Sequence, residues 1–215
     1  MVCLAGIAAA PAAFGQFISC DVTSSLGGDL YAGAALFGSG GTVWNGLNRT
    51  VSASNLALND STGAPTSVTV SYTWQDSGFS LPTGNFADLG TSHILTGTVT
   101  LGGLTPGLAY DLAIYTAWSG SPSFTVDATT KSPSTSQNWS SLSGNVHYVR
   151  FQTVADVLGR VFFTPNANPT GLGSGSGWSS LQILAVPEPR EYGMGAGVAC
   201  LVAAAWLRHR RAKVA

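Results

Sequence analysis

Charged residues are scarce in this sequence. Asp, Glu, Lys and Arg make up 9% of its 215 residues, against about 25% in an ordinary soluble domain. Between residues 16 and 186 there is no glutamate, and eight aspartates outnumber four basic residues, which leaves a net charge of −4. Cytosolic enzymes usually carry helices rich in Glu and Lys, so this composition does not favour one. An acidic middle region also argues against nucleic acid as a partner, because binding phosphate requires a positive face.

Groups for catalysis are equally few. The middle region has two histidines, His93 and His147, and lacks the glycine patterns of nucleotide-binding loops and the G-x-S-x-G motif of hydrolases. Both histidines are better interpreted as strand or strand-edge residues than as ligands. A pair of aspartates can hydrolyse a glycoside, but nothing in the sequence selects a pair. We therefore predict a protein that is not an enzyme, with a glycan-active enzyme using Asp residues as the alternative.

Cysteine and metal-ligand patterns are also sparse. Cys3 and Cys200 lie in hydrophobic terminal segments, which leaves Cys20 alone in the middle region. Neither a disulfide framework nor a metal site can be built from one cysteine, so we predict a small buried thiol or a strand residue there, and no cofactor. Asp60 and Asp88 could join a structural calcium site, but capping of turns is the favoured role for such aspartates.

The N-terminal segment is apolar and rich in alanine. We interpret residues 1–15 as a secretory signal peptide that precedes the domain of residues 16–185. The usual basic start of a signal is missing, because no Lys or Arg precedes Arg49. A start codon assigned too late would account for this. A lipoprotein signal through Cys20 is a further alternative.

The C-terminal segment, residues 186–215, has three parts in a fixed order. Residues 186–189 read Val-Pro-Glu-Pro, residues 192–207 are uncharged, and residues 208–213 are rich in arginine. As a helix, the uncharged part would be about 24 Å long, somewhat short of the roughly 30 Å hydrocarbon core. We predict a single transmembrane helix here. The basic cluster favours the cytoplasmic side, so the domain would face outward.

This tail resembles the PEP-CTERM sorting signal of Gram-negative bacteria. The resemblance covers about thirty residues. It implies that exosortase, a membrane-embedded cysteine protease-transpeptidase, recognises the tail in the inner membrane and removes it. It also implies a secreted protein of the cell envelope or extracellular matrix, associated with exopolysaccharide. The matching residues are Pro187, Glu188 and Pro189, and then Arg208, Arg210 and Arg211.

The middle region alternates apolar and polar residues with a period of two, which is typical of half-buried strands. Turn signals rich in Gly, Asn and Pro separate these windows, and no amphipathic helix is evident. The pattern predicts an all-β fold, an antiparallel sandwich or barrel, and the length of the region favours a β-sandwich of jelly-roll type. The predicted strands are residues 30–37, 68–74, 95–101, 110–118, 123–127, 146–153, 159–164 and 179–185.

A second resemblance covers most of this region. Residues 31–35 with 43–46, residues 104–112 and residues 178–183 resemble β-sandwich domains common in PEP-CTERM proteins. Those domains are similar to galactose-binding-like, carbohydrate-associated jelly rolls. The resemblance therefore implies a sandwich that contacts polysaccharide.

Tryptophan is the residue type best suited to such a contact, since its flat face packs on a sugar ring. Trp118 ends a predicted strand, and Trp139 lies in a loop rich in Ser and Thr. Either position could be exposed, so we name both as candidate carbohydrate contacts, while packing in the core or within the loop is the favoured alternative. Trp44, Trp74 and Trp178 fit core or strand-packing roles better.

Overall fold

The structure of the chain, a computed structural model, describes residues 17–23, 30–39, 41–79, 82–117, 122–166 and 177–186. The predicted signal peptide, the sorting motif, the hydrophobic segment and the basic tail lie outside these ranges, apart from Val186. None of the helices within the described ranges has the length and apolar character needed to cross a lipid bilayer.

Strands dominate the described part of the chain. The one helix there, α1 (Asp88–Thr91), is a single turn. The strands are β1 (Phe17–Thr23), β2 (Asn45–Asn48), β3 (Ala53–Asn59), β4 (Pro65–Tyr72), β5 (Trp74–Phe79), β6 (Ser92–Thr96), β7 (Val99–Gly102), β8 (Ala109–Tyr115), β9 (Phe124–Val126), β10 (Thr129–Lys131), β11 (Tyr148–Val154), β12 (Val161–Pro165) and β13 (Ser180–Ala185).

These strands form two large sheets and one small one. The five-stranded sheet has the order β11-β8-β13-β1-β2, the six-stranded sheet has the order β10-β9-β12-β7-β4-β3, and β5 pairs with β6 alone. All pairings are antiparallel except that of β1 with β2, which is parallel. The predicted all-β, largely antiparallel sandwich is confirmed.

The two large sheets pack face to face on one hydrophobic core. Along β13 the side chains alternate between the two faces of the sheet. Leu181 and Ile183 point into the core, while Ser180 and Gln182 point to the opposite face. Cys20, on β1, is fully buried in the same core, as predicted, and burial raises the pKa of its thiol.

A second layer covers the other face of the five-stranded sheet. Residues 31–39, 41–44, 82–91 and 132–147 lie over it and bury a smaller aromatic cluster around Tyr115 and Trp139. A polar network fastens this layer. The Gln182 amide oxygen accepts hydrogen bonds from the Tyr115 hydroxyl (2.7 Å) and the Phe37 N–H (3.1 Å). Its amide nitrogen donates to the Phe37 carbonyl and the Ser19 hydroxyl, both at 2.9 Å.

Residues 30–37 form no strand, which corrects the prediction. They contain apolar residues, but several of their backbone groups bond to side chains of the sheet beneath instead of to a neighbouring strand. The Tyr31 N–H donates to Asp21 (3.0 Å), and the Leu36 N–H donates to the Tyr115 hydroxyl (3.0 Å). Side-chain acceptors thus replace the ladder that a strand would need.

Two other predicted strands change sheet partway. Residues 95–101 divide at Gly97 into β6, which pairs with β5, and β7, which belongs to the six-stranded sheet. Residues 68–74 divide after Tyr72, so that Trp74 begins β5. In the sequence, the alternation of apolar and polar residues continues across both breaks, which is why periodicity did not detect them. The sequence prediction also missed four strands: β1, β2, β3 and β10.

Candidate functional site

Trp139 is not exposed, which agrees with the loop-packing alternative and not with the exposure that a sugar contact needs. Its side chain has 0% of its surface accessible. The indole N–H donates to the Ser136 carbonyl (2.7 Å). The ring packs so closely on α1 that a Cβ on Gly90 would come within 2.9 Å of it. Trp139 therefore holds the covering layer on the sheet and presents no face to a sugar. Trp118 lies outside the described residues.

His147 supports the same loop. Its Nδ1 accepts the Ser143 N–H (3.0 Å), so Nε2 carries the hydrogen and donates to the Asn138 carbonyl (2.9 Å). The ring lies 4.9 Å from that of Trp139. Burial lowers the pKa of His147, which keeps the ring neutral in this role. The interpretation of His147 as a structural strand-edge residue is confirmed.

Trp74, in contrast to Trp139, is partly exposed. Trp44 and Trp178 are buried as predicted, with 5% and 0% accessible, but 40% of Trp74 is accessible. Trp74 lies where the chain leaves the six-stranded sheet, and its N–H donates to the Ser52 hydroxyl (2.9 Å). Trp74 is not in the core because β4 ends before it, and its place at the start of β5 leaves strand packing as its predicted role.

Several aspartates accept hydrogen bonds that stabilise a turn or join a turn to a strand. The Asp60 Oδ1 accepts hydrogen bonds from the N–H groups of Thr62 (2.8 Å) and Ala64 (3.0 Å), and also from the Thr62 hydroxyl. The bond from the Thr62 hydroxyl contributes most to lowering the pKa of Asp60, and the N–H bonds add to it, against the opposing effect of desolvation. This is the turn-capping role predicted for it. Asp127 accepts the Thr153 hydroxyl (2.7 Å). No group of three or more His, Cys, Asp or Glu suited to a metal occurs within the described ranges.

Asp21 is the exception, because it is buried in the sheet with 1% of its surface accessible. Burial raises the pKa of its carboxyl to about 7, against the hydrogen bonds from Tyr31 and Ser180. The Ser180 hydroxyl lies 2.7 Å from the Asp21 Oδ1 and 2.9 Å from the Leu89 carbonyl, although it has one hydrogen to donate. A protonated Asp21 satisfies both contacts, since it donates to Ser180 while Ser180 donates to Leu89.

The protonated Asp21 predicts a pH dependence of stability. An unfolded aspartate has a pKa of about 3.9, below the folded pKa of about 7. The stabilising contribution is therefore complete below about pH 4 and is lost as the pH rises to about 7, by at most about 1.4 kcal/mol per pH unit. Urea unfolding at several pH values measures the slope. Replacing Asp21→Asn should flatten it, and an equally steep slope in that variant would contradict the assignment.

An open polar groove of about 550 Å³ is the best candidate for a binding site. It lies between β10, an edge strand of the six-stranded sheet, and β11, an edge strand of the five-stranded sheet. The Lys131 ammonium on β10 donates to the Arg150 carbonyl on β11 (2.5 Å), which joins the two edges. The lining residues are Val126, Asp127, Thr129, Lys131, Gly144, Asn145, Tyr148, Arg150, Phe151 and Gln152.

Charged groups in the groove are held in place by neighbours. The Arg150 guanidinium makes two hydrogen bonds to Asp111, at 3.2 Å and 2.5 Å, and lies 5.7 Å from the Phe37 ring. The Lys131 ammonium lies 4.9 Å from the Phe151 ring. Fixed donors reduce the entropy lost when a ligand binds. The groove can therefore offer hydrogen bonds to the hydroxyl groups of a polymer, but it lacks the pair of free carboxyls that glycoside hydrolysis requires.

Tyr148 supplies an aromatic surface to the groove. It is half-buried, and its ring packs at 5.5 Å on that of Tyr115. Along β11, Tyr148, Arg150 and Gln152 share one face while Val149 and Phe151 point to the core. That alternation is visible in the sequence, and it indicates the residues that β11 contributes to the groove. The other half of the groove comes from β10 in the other sheet, which no spacing indicates.

Comparisons with known proteins are sparse. Neither a family model nor a curated protein matches the sequence. Two solved structures are similar over 80% of the chain: protein YXIM of Bacillus subtilis, at 11% identity and a TM-score of 0.40, and a calcium-binding mutant of β-glucuronidase 2 of Bacteroides uniformis, at 10% identity and a TM-score of 0.41. The chain spans 40% and 18% of their lengths. The fold assignment rests on the sheets described above.

Proposed function

We propose that this chain is an exported bacterial envelope or matrix protein whose β-sandwich associates with exopolysaccharide and catalyses no reaction. The observation that carries the proposal is the groove between β10 and β11, which is open, polar and lined by side chains held in fixed positions. Polysaccharides expose hydroxyl groups along their length, and many weak contacts on one polymer give useful retention. A jelly-roll connectivity, as the resemblance implies, agrees with this role.

The terminal segments support export and sorting. In this proposal residues 1–15 direct secretion, residues 192–207 cross the inner membrane, and exosortase acts at Pro187, Glu188 and Pro189. Arg208, Arg210 and Arg211 then stay on the cytoplasmic side. The domain would stand in the periplasm until the tail is removed and afterwards in the matrix.

The catalytic alternative finds less support. A glycosidase needs two carboxyls about 5–10 Å apart in an accessible cleft. Asp21 has the raised pKa of a general acid, but it lies beneath the covering layer with 1% of its surface accessible. Asp111 is paired with Arg150, and Asp60 caps its own turn. The arrangement favours binding over hydrolysis.

One preparation tests the proposal: matrix from a Gram-negative host that carries an exosortase, secretes exopolysaccharide and expresses the chain. The mass of the recovered protein should correspond to a chain without the residues after the Pro-Glu-Pro motif.

Replacing Lys131→Ala together with Gln152→Ala should lower retention on the purified polysaccharide at least about tenfold, because a charged hydrogen bond contributes about 1.5–3 kcal/mol.

Arg160→Ala is the matched control, since it removes one exposed positive charge outside the groove. It should be retained like the wild type. Equal retention of the groove variant and this control would reject the groove as the binding site. A recovered chain that still ends at Ala215 would reject the sorting, and release of reducing sugar from the polysaccharide would favour the enzyme.

A further inference from the structure

The connection between β11 and β12 carries an unusual concentration of exposed apolar side chains. Among the described residues, this connection and the strand positions beside it hold four of the eight exposed large hydrophobic side chains. Val157 and Leu158 are the most exposed of all eight, at 88% and 66%. Single exposed hydrophobic residues are ordinary, but two adjacent and largely exposed ones at the tip of a turn are typical of a surface that meets a partner. The four residues are Val154, Val157, Leu158 and Phe162.

This connection is a fixed turn. The Gly159 N–H donates to the Asp156 carbonyl, and the Asp156 N–H donates to the Arg160 carbonyl, both at 2.9 Å. The Asp156 carboxylate accepts the Leu158 N–H at 2.8 Å and pairs with the Arg160 guanidinium at 2.9 Å. Val157 and Leu158 therefore occupy the centre of the turn, where polar residues or glycine are usual.

Glycine at the end of the turn ties it to the domain. Gly159 has a φ of +70°, and a Cβ there would come within 2.2 Å of the Leu104 carbonyl. The Leu104 N–H donates to the Gly159 carbonyl (3.0 Å), and the Gly107 N–H donates to the Ala155 carbonyl (3.0 Å). The exposed Pro106 lies between these two bonds. The apolar tip thus stands on two adjacent loops at one end of the sandwich.

The chain leaves the sandwich at that same end. Ala185, the last residue of β13, pairs with Tyr110 near the start of β8, and the start of β8 pairs with Val154 at the end of β11. A cleft of about 340 Å³ opens between the two sheets there, lined in part by Leu104, Leu108 and Ala185. In the sequence, residues 186–191 separate this point from the uncharged segment of residues 192–207. Six extended residues span about 20 Å.

We infer that this end of the sandwich, with Val157 and Leu158 at its tip, rests on the lipid bilayer before the tail is removed. The inference rests on the proposed membrane segment of residues 192–207, which would hold a bilayer within about 20 Å of Ala185, at the end of the sandwich that carries the tip. Apolar side chains lower their free energy by entering the interfacial region, typically to a depth of about 5–10 Å. The Asp156–Arg160 ion pair leaves the tip electrically balanced, so zwitterionic lipid suffices.

The test uses the full chain in phosphatidylcholine vesicles that contain nitroxide-labelled lipid. An environment-sensitive fluorophore is attached through Pro106→Cys, beside the tip, or through Thr73→Cys, an exposed residue where β4 ends. β4 runs away from the end that carries the tip, and seven residues of strand span about 23 Å. Cys3→Ser and Cys200→Ser remove the other labelling sites, since Cys20 is fully buried.

Quenching at position 106 should exceed that at position 73 at least about threefold, because only the former lies within about 10 Å of the interface. Adding Val157→Ser and Leu158→Ser should reduce quenching at position 106 toward that at position 73. Flotation of the chain with vesicles without this difference overturns the inference and leaves the membrane segment standing. Failure to float overturns both. An unchanged signal in the serine variant also overturns the inference, because the apolar tip would then not be the contact.

Discussion

Replacing Trp139→Ala is expected to destabilise the domain by about 3–5 kcal/mol, the usual cost of deleting a large buried aromatic side chain. The indole is fully buried, its N–H is bonded to the Ser136 carbonyl, and its ring fills the space between α1 and the loop that His147 supports. Alanine would leave a cavity beneath the covering layer. Urea unfolding followed by circular dichroism measures the change.

Trp74→Ala is the matched control, because it deletes the same side chain from a position with 40% accessibility. It should cost about 1 kcal/mol or less, since much of the indole already contacts water. If the two variants were destabilised equally, the packing of Trp139 described above would be contradicted. If Trp139→Ala left stability unchanged but weakened polysaccharide retention, the sugar-contact interpretation would return.

Gln182→Leu is expected to have a comparable effect, about 3–5 kcal/mol, for a different reason. Leucine has a similar volume but cannot bond, so the Phe37 N–H and carbonyl would lose their partner, and the Tyr115 and Ser19 hydroxyls would lose one each. Each buried polar group left unsatisfied costs about 1–3 kcal/mol. The free energy of unfolding should fall accordingly, and residues 31–44 should exchange their amide hydrogens faster.

Gln152→Leu is the control for this change, since Gln152 is exposed on β11. A substitution there should alter stability by less than about 0.5 kcal/mol. A loss below about 1 kcal/mol for Gln182→Leu would mean that the covering layer does not depend on the network. Unchanged hydrogen exchange in residues 31–44 would lead to the same conclusion.

The sequence by itself determined the fold class and several strands. Period-two alternation identified β8, β9, β11, β12 and β13 because these strands place every second side chain in the core. It also determined that Cys20 would be buried and that Asp60 would cap a turn, since both follow from local chemistry. The sorting signals are sequence predictions that lie outside the described residues and remain so.

Only the tertiary structure decided which tryptophans are exposed. Loop position suggested exposure for Trp139, but the loop folds back over a sheet that is covered on both faces. Strand position suggested burial for Trp74, but the strand ends two residues before it. Exposure depends on what packs above a residue, and that information comes from segments distant in the sequence. The groove has the same origin, because Lys131 and Arg150 meet only where edges of two different sheets come together.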